Sequence, residues 1–526
     1  MIKIDPRSWP IMAEKKLYLD YLFGTGTAAN FFTHGPLDFT SSFKSRRQHT
    51  YLRHKISRLL TEYNAKLGAN PLAMENTAAL ESPATFCVIG GQQAGFLGGP
   101  IYTFYKIITT IRLAQHLQQT LGSRVVPVFW LASEDHDFDE INHTYFSKPD
   151  GEIGEIKFAW EQAGRPIADL PITPDMKHAY AEYFQKIPVT PNTPQVKEQF
   201  APHAGENYCA WQARIWSGLF SAHGLVIVEP RTLRHAAADF FQFALEHADD
   251  IEHRLGAVAQ RLKSAGYIPS LDAERAGRLY TFDVSGNRVR VKEPGACLAR
   301  EVFFPEHYST DVALRPLFAD AMLPTVASVL GPGEIAYQSM LKPLYNLFDL
   351  PQPLLYPRKS YTIVAKSQAK RMADYKTSVT AILTKNSTSA SVFRRLMPES
   401  AGEDIFTETR QKLEAAFAPL RPYVEEIDPN LGKAWKYGFS NTLRGIDNLE
   451  QGAVKAKMSQ LGFSRGELRQ LSNALLPRDR LQERVFPLPS FLNRYGMKFL
   501  NAFFTAGDID DFSHHILILE EEHDGN

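Results

Sequence analysis

The chain has 526 residues and a mass of 59.3 kDa, which is too long for one ordinary hydrophobic core and predicts roughly three or four structural units. Its 58 lysines and arginines balance 58 aspartates and glutamates, and this neutrality argues against sequence-independent nucleic-acid binding, which requires an excess of positive charge. Because 44% of the residues are hydrophobic and 22% are charged, a folded globular protein is expected and a disordered chain is excluded.

Cysteine spacing and hydropathy indicate the cellular compartment in which the protein is expected. The three cysteines lie far apart without a CxxC pair, which excludes a disulfide-stapled fold and a zinc site built from closely spaced cysteines. Residues 82–105 carry no charge and could span a bilayer, but their many glycines and prolines favour a strand, a Gly-rich loop and a helix of a soluble domain. The first residues are charged where a secretory signal would be apolar, so we expect a cytoplasmic protein without membrane contact.

A βαβ unit is predicted from Thr85 onward. A β-favouring run ends at Gly90 and Gly91, a helix follows from Pro100, and a second buried strand covers residues 125–133. Such a unit implies parallel strands joined by a right-handed crossover. The residues that follow both strands then lie at the carboxyl edge of the sheet, where ligands bind in open parallel sheets.

The rest of the first 365 residues continues this core domain. Residues 148–199 are rich in proline, glycine and charge, and we interpret them as an insertion or a mobile segment. Strand-like runs return at 224–230 and between 314 and 364, where the sequence GPGE opens a helix that we extend through residue 348.

Residues 366–480 have a helical pattern. One apolar stripe contains Leu413 and Phe417, a second begins at Trp435, and a turn at 428–430 separates them. Two amphipathic helices joined by a turn predict an antiparallel hairpin of the coiled-coil type. Residues 481–526 end in the strand-like run HHILIL, which could return to the core.

The Gly-rich loop after the first strand is the first candidate for a ligand site. Glycines let the backbone approach a ligand, and the start of the next helix offers free N–H groups to an anion. The spacing matches no dinucleotide or P-loop motif, so a tight turn that serves packing alone stays open. Because paired glutamine side chains offer donors and acceptors, we favour a ligand role for Gly90, Gly91, Gln92, Gln93, Gly99 and Tyr102.

The acidic segment after the second strand is the second candidate. Five carboxylates and one imidazole occupy residues 134–140, a density that could hold Mg²⁺, position a base or bind a substrate amine. An acidic helix start favoured by the helix dipole is the alternative. We take Asp135 and His136, together with Glu134, as catalytic candidates, and we assign no metal ligand.

Residues late in the core domain form the third candidate. Arg315 and Arg358 each adjoin a proline in an apparent strand, and a guanidinium group matches a carboxylate bidentately. A surface ion pair is the alternative for either arginine. The same region adds Gly331, Gly333, Glu334 and Tyr337, and the helix after the Gly-rich loop adds Lys106.

Five sequence blocks are distinctive when taken together: GGQQAGFLGGPIYTFYK, VVPVFWLASEDHDFDEIN, LRPLFADAMLPTVASVLGPGEIAYQSMLK, YPRKSYT and LQERVFPLPSFLNRYG. Together they resemble the BshC family, the cysteine-adding enzymes of bacillithiol biosynthesis. They occur in the family's order from the first strand to the tail, so the resemblance covers nearly the whole chain. Two departures concern local contacts, because Ala319 stands where a glutamine is more usual and Leu330 where a glycine is frequent.

The resemblance implies an α/β fold with a Rossmann-like parallel-sheet core, connecting insertions and an α-helical antiparallel coiled-coil domain that forms a homodimer. It also implies a ligase that forms an amide between the carboxyl group of cysteine and the amine of glucosaminyl-malate, the last step of bacillithiol synthesis. A carboxylate is a poor acyl donor, so we expect activation by a nucleotide, with ATP or ADP bound and Mg²⁺ as a candidate companion.

On this interpretation the Gly-rich loop would hold a substrate or nucleotide anion, and Asp135 and His136 would orient the amine or act as the base. Carboxylates or phosphates would meet Lys106, Arg315 and Arg358, and sugar hydroxyls would meet Glu334 and Tyr337. Two other classes stay open: another adenylate-forming or nucleotidyl-transferring enzyme, and a non-catalytic nucleotide-sensing dimer that acts through the helical hairpin.

Overall fold

A computed structural model describes residues 1–161, 164–299, 302–375, 377–383, 403–460 and 464–521. Residues 384–402 of the predicted helical domain lie outside these ranges. The strands are β1 (Ile2–Ile4), β2 (Thr85–Gln92), β3 (Arg124–Leu131), β4 (His143–Ser147), β5 (Ile153–Lys157), β6 (Val226–Val228), β7 (Leu279–Phe282), β8 (Arg288–Arg290), β9 (Ser309–Thr310), β10 (Thr325–Leu330), β11 (Leu354–Pro357), β12 (Ser360–Ala365) and β13 (His514–Leu519).

The α-helices of the described residues lie between and after these strands. They are α1 (Lys16–Phe23), α2 (Phe39–Gln48), α3 (Arg53–Lys66), α4 (Pro71–Ala79), α5 (Tyr102–Leu121), α6 (Pro174–Lys186), α7 (Thr193–Phe200), α8 (Tyr208–Leu219), α9 (Ala238–Glu246), α10 (Ala248–Ser264), α11 (Pro294–Leu298), α12 (Leu314–Met322), α13 (Pro332–Gln338), α14 (Lys342–Leu347), α15 (Lys366–Asp374), α16 (Val379–Leu383), α17 (Glu403–Phe417), α18 (Leu420–Ile427), α19 (Leu431–Gln460), α20 (Arg465–Leu475) and α21 (Leu488–Tyr495). Across the described residues, no helix is both long and apolar enough to cross a membrane.

A five-stranded parallel sheet forms the centre of the core, in the order β11-β10-β2-β3-β6. The predicted βαβ unit is confirmed, since β2 and β3 pair in parallel and α5 packs against both. Strand β2 is longer than predicted because Gly90 and Gly91 continue the ladder opposite Phe129 and Trp130. The chain runs outward from β2 to β6 on one side and then continues with β10 and β11 on the other. The strand order therefore reverses between β2 and β10.

Close packing explains two of the glycines around β2. A Cβ atom on Gly90 would lie 2.3 Å from the Thr110 hydroxyl of α5, so the lack of a side chain at this position lets the helix pack closely against the sheet. A Cβ atom on Gly95 would lie 2.6 Å from the Gly99 Cα, which no side-chain movement could relieve because the obstacle is backbone. These contacts make the turn between β2 and α5 compact.

Two smaller sheets cover the carboxyl edge of the central sheet. Strand β5, which pairs with β4 just before the predicted insertion, lies within residues 148–199 together with α6 and most of α7, so this segment contains regular structure. The three-stranded antiparallel sheet β8-β7-β9 carries Arg288, whose guanidinium Nη1 lies 3.0 Å from His136 Nδ1 in the acidic segment. This sheet therefore contacts the loop that follows β3.

A third small sheet joins distant parts of the chain in the order β1-β13-β12. Strand β13 pairs in parallel with β12 and antiparallel with β1. The helical segments α15 to α20 come between β12 and β13 along the chain, so both ends of this helical region return to one sheet. The run HHILIL provides β13.

The helical hairpin consists of α17 and α18 against α19, with Trp435 and Phe439 packed on Phe417. The indole N–H of Trp435 donates a hydrogen bond to the Phe417 carbonyl oxygen at 2.9 Å. The predicted first arm is divided into two helices at Pro419, because proline has no N–H to continue the helical ladder.

Two sequence-based assignments in the late core domain are wrong. Arg315 lies in the first turn of α12 and not in a strand. The proline that follows it does not prevent a helix, because the first N–H groups of a helix have no partner within the helix and a proline there loses no hydrogen bond. The single helix expected after GPGE is two helices, α13 and α14. Pro343 cannot donate to the carbonyl of Ser339, which interrupts the helix there. Arg358 does follow a strand, β11.

Candidate active site

A cleft of about 420 Å³ opens between the carboxyl ends of β2 and β10, where the strand order reverses. Ile89, Trp130 and Leu330 supply apolar walls from the strands, while the loops beyond the strands supply polar side chains. Ligands of open α/β sheets bind at this position, outside the strand ends at the reversal point. We refer to this cavity as the cleft.

The cleft brings together predicted residues from all three candidate segments. These residues span more than 240 positions of the sequence. The parallel strands bring each segment to the same edge of the sheet. The predicted residues that line the cleft are Gly91, Gln92, Gln93, Asp135, Arg315, Glu334 and Tyr337.

Asp135 is one of the acidic side chains that line the cleft. Gln93 Nε2 donates a hydrogen bond to Asp135 Oδ2 at 2.9 Å, and Arg315 Nη2 lies 3.7 Å from the same oxygen. Burial acts to raise the pKa of Asp135, but the Arg315 charge, the Gln93 hydrogen bond and the Arg288 charge together hold that pKa below its ordinary value. Asp135 therefore stays ionised at neutral pH. A carboxylate of this kind is better suited to bind an ammonium group than to accept a proton.

Lys106 lies directly beneath the Gly-rich loop. Its Nζ donates hydrogen bonds to the Gly91 carbonyl oxygen at 2.6 Å, to Gln92 Oε1 at 3.0 Å and to Glu334 Oε2 at 2.7 Å. Glu334 also accepts from the Gly331 N–H at 2.7 Å. Burial lowers the pKa of Lys106, and the Glu334 charge opposes that effect. This ammonium group fastens the loop to the start of α13 from behind the cleft wall.

Arg358 does not line the cleft. Its guanidinium group donates to both carboxylate oxygens of Glu483, at 3.1 and 2.5 Å, and both side chains are buried. The pair borders a second cavity of about 280 Å³ that also contacts Arg484. Because the bidentate face of Arg358 is occupied, this residue is not free to clamp a substrate carboxylate in the observed conformation.

The guanidinium groups of Arg358 and Arg484 both lie over the Tyr102 ring, at 5.3 and 5.9 Å from its centroid. Its hydroxyl accepts a hydrogen bond from Gln92 Nε2 at 3.3 Å. Burial raises the pKa of Tyr102 to about 12, so the phenol stays protonated. Tyr102 thus orients a cleft residue without lining the cleft itself.

Other predicted residues serve the framework around the cleft. Glu134 is buried and accepts a hydrogen bond from Arg234 Nε at 2.6 Å. His136 lies beside the cleft, with its ring directed at Arg288. Gly99 has a left-handed backbone in the turn before α5, and Gly333 lies in the first turn of α13. In the described part of the chain, no group of three or more His, Cys, Asp or Glu side chains converges as a metal site.

Comparisons with known proteins agree with this architecture. The family model described as bacillithiol biosynthesis BshC, N-terminal Rossmann-like domain, matches residues 5–359, and the C-terminal coiled-coil domain of the same family matches residues 361–519. The chain belongs to the BshC family. The prediction of a Rossmann-like core with a coiled-coil domain is therefore confirmed.

BshC proteins from other bacteria align with almost the whole chain. The relative from Geobacillus thermodenitrificans is 28% identical over 544 residues, covering 98% of this chain and 100% of the relative. The relative from Bacillus cytotoxicus is 29% identical and covers 91% of this chain and 94% of its own length. The Desulforamulus reducens relative is 24% identical, with 95% and 97% covered. Each bears the name "Putative cysteine ligase BshC".

Several residues of this BshC cleft were not chosen from the sequence. Glu140 lines the cleft, and burial raises its pKa above the ordinary value. Its place in the acidic segment was visible, but only the fold shows which acids of that segment face the cleft. Trp130 and Gln338 also line it, although each occurs in an ordinary strand or helix pattern. Arg288 lies 152 residues from His136 in the chain, and no sequence signal connects the two.

Proposed function

We propose that this BshC protein is a cysteine ligase that joins the carboxyl group of cysteine to the amine of glucosaminyl-malate, the last step of bacillithiol biosynthesis. The observation that carries the proposal is the pair of opposite charges in the cleft, with Asp135 Oδ2 and Arg315 Nη2 3.7 Å apart. A substrate that carries an ammonium group and carboxylates finds a complementary charge for each. The names of the relatives support the cysteine-ligase activity.

The reaction needs an activated acyl group, because hydroxide or oxide is a poor leaving group from a carboxylate. We propose ATP as the co-substrate, with Mg²⁺ accompanying its phosphates. The cysteine carboxylate oxygen would attack the α-phosphorus, with pyrophosphate leaving, to give an acyl adenylate, or the γ-phosphorus, with ADP leaving, to give an acyl phosphate. The amine then attacks the carbonyl carbon and the new C–N bond forms. The C–O bond to the phosphoryl group breaks, AMP or phosphate leaves, and the amine nitrogen gives up a proton.

The side chains of the cleft divide these tasks. Asp135 holds the substrate ammonium group before reaction, because its pKa lies below the ordinary value and it remains charged. Arg315 meets a carboxylate of the acceptor. Glu140, whose pKa is raised by burial, is a better proton acceptor than Asp135 and takes the proton of the attacking amine. Lys106 keeps the Gly-rich loop in place from below.

An Asp135→Asn variant tests the proposal against a matched control, Asp137→Asn, which changes an exposed acid two residues away in the same loop. Purified protein is incubated with cysteine, glucosaminyl-malate and ATP, and the amide product and released nucleotide are measured by mass spectrometry. Losing one partner of a desolvated charge pair costs on the order of 2–5 kcal/mol, so D135N should lose about 30-fold or more in kcat/KM. D137N removes only a secondary cause of the raised pKa of Glu140, so it should lose far less activity than D135N.

Two outcomes would overturn the assignment. Unchanged turnover by D135N would remove Asp135 from the site. Absence of the amide with the unaltered protein, together with nucleotide transfer to a different acceptor, would favour another adenylate-forming or nucleotidyl-transferring enzyme. Release of AMP indicates an acyl adenylate intermediate, and release of ADP indicates an acyl phosphate.

We propose that the protein is a homodimer joined through the helical hairpin. Leu420, Tyr423 and Ile427 of α18 are 48, 64 and 65% exposed, whereas Trp435 is packed inside the hairpin. An exposed apolar row on a helix favours a second apolar surface. Light scattering should give a dimer for the unaltered chain and a monomer for Y423E/I427E. The control Val284→Glu changes a fully exposed apolar residue between β7 and β8, outside the hairpin helices, and a monomeric unaltered chain would contradict the proposal.

A further inference from the structure

Arg288 makes three directional contacts from a buried position behind the acidic loop. Its Nε donates a hydrogen bond to the Ser309 hydroxyl at 3.0 Å, and its Nη2 donates to the Thr310 carbonyl oxygen at 2.6 Å. The third contact runs from Nη1 to His136 Nδ1 at 3.0 Å. The guanidinium group also lies over the Tyr280 ring, 4.0 Å from its centroid. These contacts fix the guanidinium group from three sides.

The contact with Arg288 decides where the His136 ring carries its proton. An arginine side chain has donors only, so His136 Nδ1 must accept and carries no hydrogen. A neutral imidazole has one N–H, and it is therefore on Nε2. Among the described residues Nε2 has no hydrogen-bond partner, and the His136 side chain is 39% exposed. The free N–H is open to a ligand at the edge of the cleft.

The same segment connects this arrangement to Asp135. The backbone N–H of His136 donates to Asp135 Oδ1 at 2.8 Å, while the His136 Nδ1 lies 3.8 Å from that oxygen, beyond hydrogen-bond distance. The charged and aromatic groups around the ring are therefore Asp135 on its own loop and Arg288 and Tyr280 on the opposite sheet. Holding the ring also holds the peptide that fixes the Asp135 carboxylate.

We propose that Arg288 is a positioning residue that keeps the single N–H of the neutral His136 ring on Nε2, so that His136 donates a hydrogen bond to an anionic oxygen of the substrate and does not act as the base. The catalytic part of this inference rests on the proposed ligase function, and the tautomer does not. The oxygen that fits is that of a carboxylate or a phosphate, since both accept from an N–H at this position.

The tautomer is read from the unaltered protein, and a variant is needed only to assign the His136 signals. Protein labelled with ¹⁵N in its 16 histidines gives long-range ¹H–¹⁵N correlation spectra, and His136 is identified by the signals lost in His136→Gln. At pH 8 we expect a single form with Nδ1 unprotonated and Nε2 protonated. A proton on Nδ1, or an averaged mixture of both forms, would overturn the proposal whether or not the protein is a ligase.

Variants of Arg288 separate positioning from mere support of the fold. In Arg288→Met the His136 signals should become an average of both tautomers, while Arg288→Lys, which keeps a cationic donor, should retain most of the Nε2–H form. Arg290→Met is the matched control, because Arg290 lies two residues away on β8 and contacts the Glu274 carbonyl oxygen instead. An unchanged His136 spectrum in a folded R288M protein would refute the role of Arg288.

Activity distinguishes a hydrogen-bond donor from a base. Glutamine supplies an N–H where the imidazole has Nε2 but cannot take up a proton near neutral pH. If His136 only donates, H136Q should keep kcat within about tenfold of the unaltered protein, whereas loss of a general base costs about 10²–10⁴-fold. A loss of that size in H136Q, with His136→Ala no worse, would contradict the donor role. If the unaltered protein makes no amide, the proposed function fails while the spectra still decide the tautomer.

Discussion

Removing one partner of the Lys106–Glu334 ion pair should destabilise the protein unequally, depending on which partner is lost. In Glu334→Gln the buried Lys106 ammonium loses its anionic partner and keeps only neutral acceptors, among them the Gly91 carbonyl and the Gln92 amide. Breaking a buried pair costs about 3–5 kcal/mol, and because neutral acceptors remain, we expect a loss of about 3 kcal/mol. In Lys106→Met, Glu334 keeps the Gly331 N–H and is 32% exposed, so about 1.5 kcal/mol is expected.

The double variant should be less unstable than the sum of the two single variants, because neither charge is then left alone. A sum of about 4.5 kcal/mol against about 2.5 kcal/mol for K106M/E334Q gives a coupling of about 2 kcal/mol. Urea unfolding at constant pH, followed by tryptophan fluorescence, measures the three losses. The control cycle uses Lys148 and Glu152, whose charges are 3.6 Å apart but nearly half exposed, and its coupling should stay below about 0.5 kcal/mol.

The same pair predicts a dependence on pH. Burial lowers the pKa of Lys106 in the folded protein, and loss of Glu334 removes the group that opposes this. The folded E334Q protein then binds fewer protons than the unfolded chain below pH 10.5, so its stability should rise with pH above neutrality. K106M should show no such rise. A coupling as small as that of the control pair would refute the argument that Lys106 is a buried charge held by Glu334.

Two further predictions concern the small sheet and the Gly-rich turn. Burial lowers the pKa of His514 from 6.5 to about 4, so stability present above pH 6.5 is lost as the pH falls toward 4. The free energy of unfolding should fall by about 3 kcal/mol, and this fall should be absent in His514→Gln. Equal urea midpoints at pH 4.5 and 7 in the unaltered protein would contradict the prediction. Gly95→Ala places a Cβ atom against the Gly99 backbone and should lower the free energy of unfolding by about 1–3 kcal/mol. The control Gly256→Ala lies in open space on a helix and should be neutral or stabilising. Equal melting temperatures for the two variants would contradict the packing argument.

The central fold could be predicted because local patterns and chain order are enough to define it. The apolar runs of β2 and β3, separated by a helix pattern, allow only a parallel crossover unit. Local patterns do not predict the structure where one pattern fits both a strand and a helix. The sequence around Arg315 fits a strand that ends at a proline and also a helix that begins with one, and only tertiary contacts decide between them.

The site could be predicted only in part. Asp135 and Gln93 were recognisable because polar side chains at strand ends converge by geometry alone. The pairing of Arg358 with Glu483 could not be predicted, since 125 residues separate two side chains in unremarkable patterns. Arg288 was missed for the same reason. Long-range side-chain pairs depend on how the insertions fold back, and a single sequence carries no local signal for that.

The placement of β13 between β1 and β12 has a consequence for biosynthesis. Strand β1 finds its partner only in residues 514–519, although its own residues 2–4 are made first. At about 5–20 residues per second, roughly 25–100 s separate the two on the ribosome. During that time β1 has no partner strand, and β12 has none from the moment residues 360–365 are made, because β13 lies between the two in the sheet; unpaired edges attract other strands. The nascent chain therefore passes through a long interval in which chaperones can act, and this sheet closes only after residues 514–519 have been made.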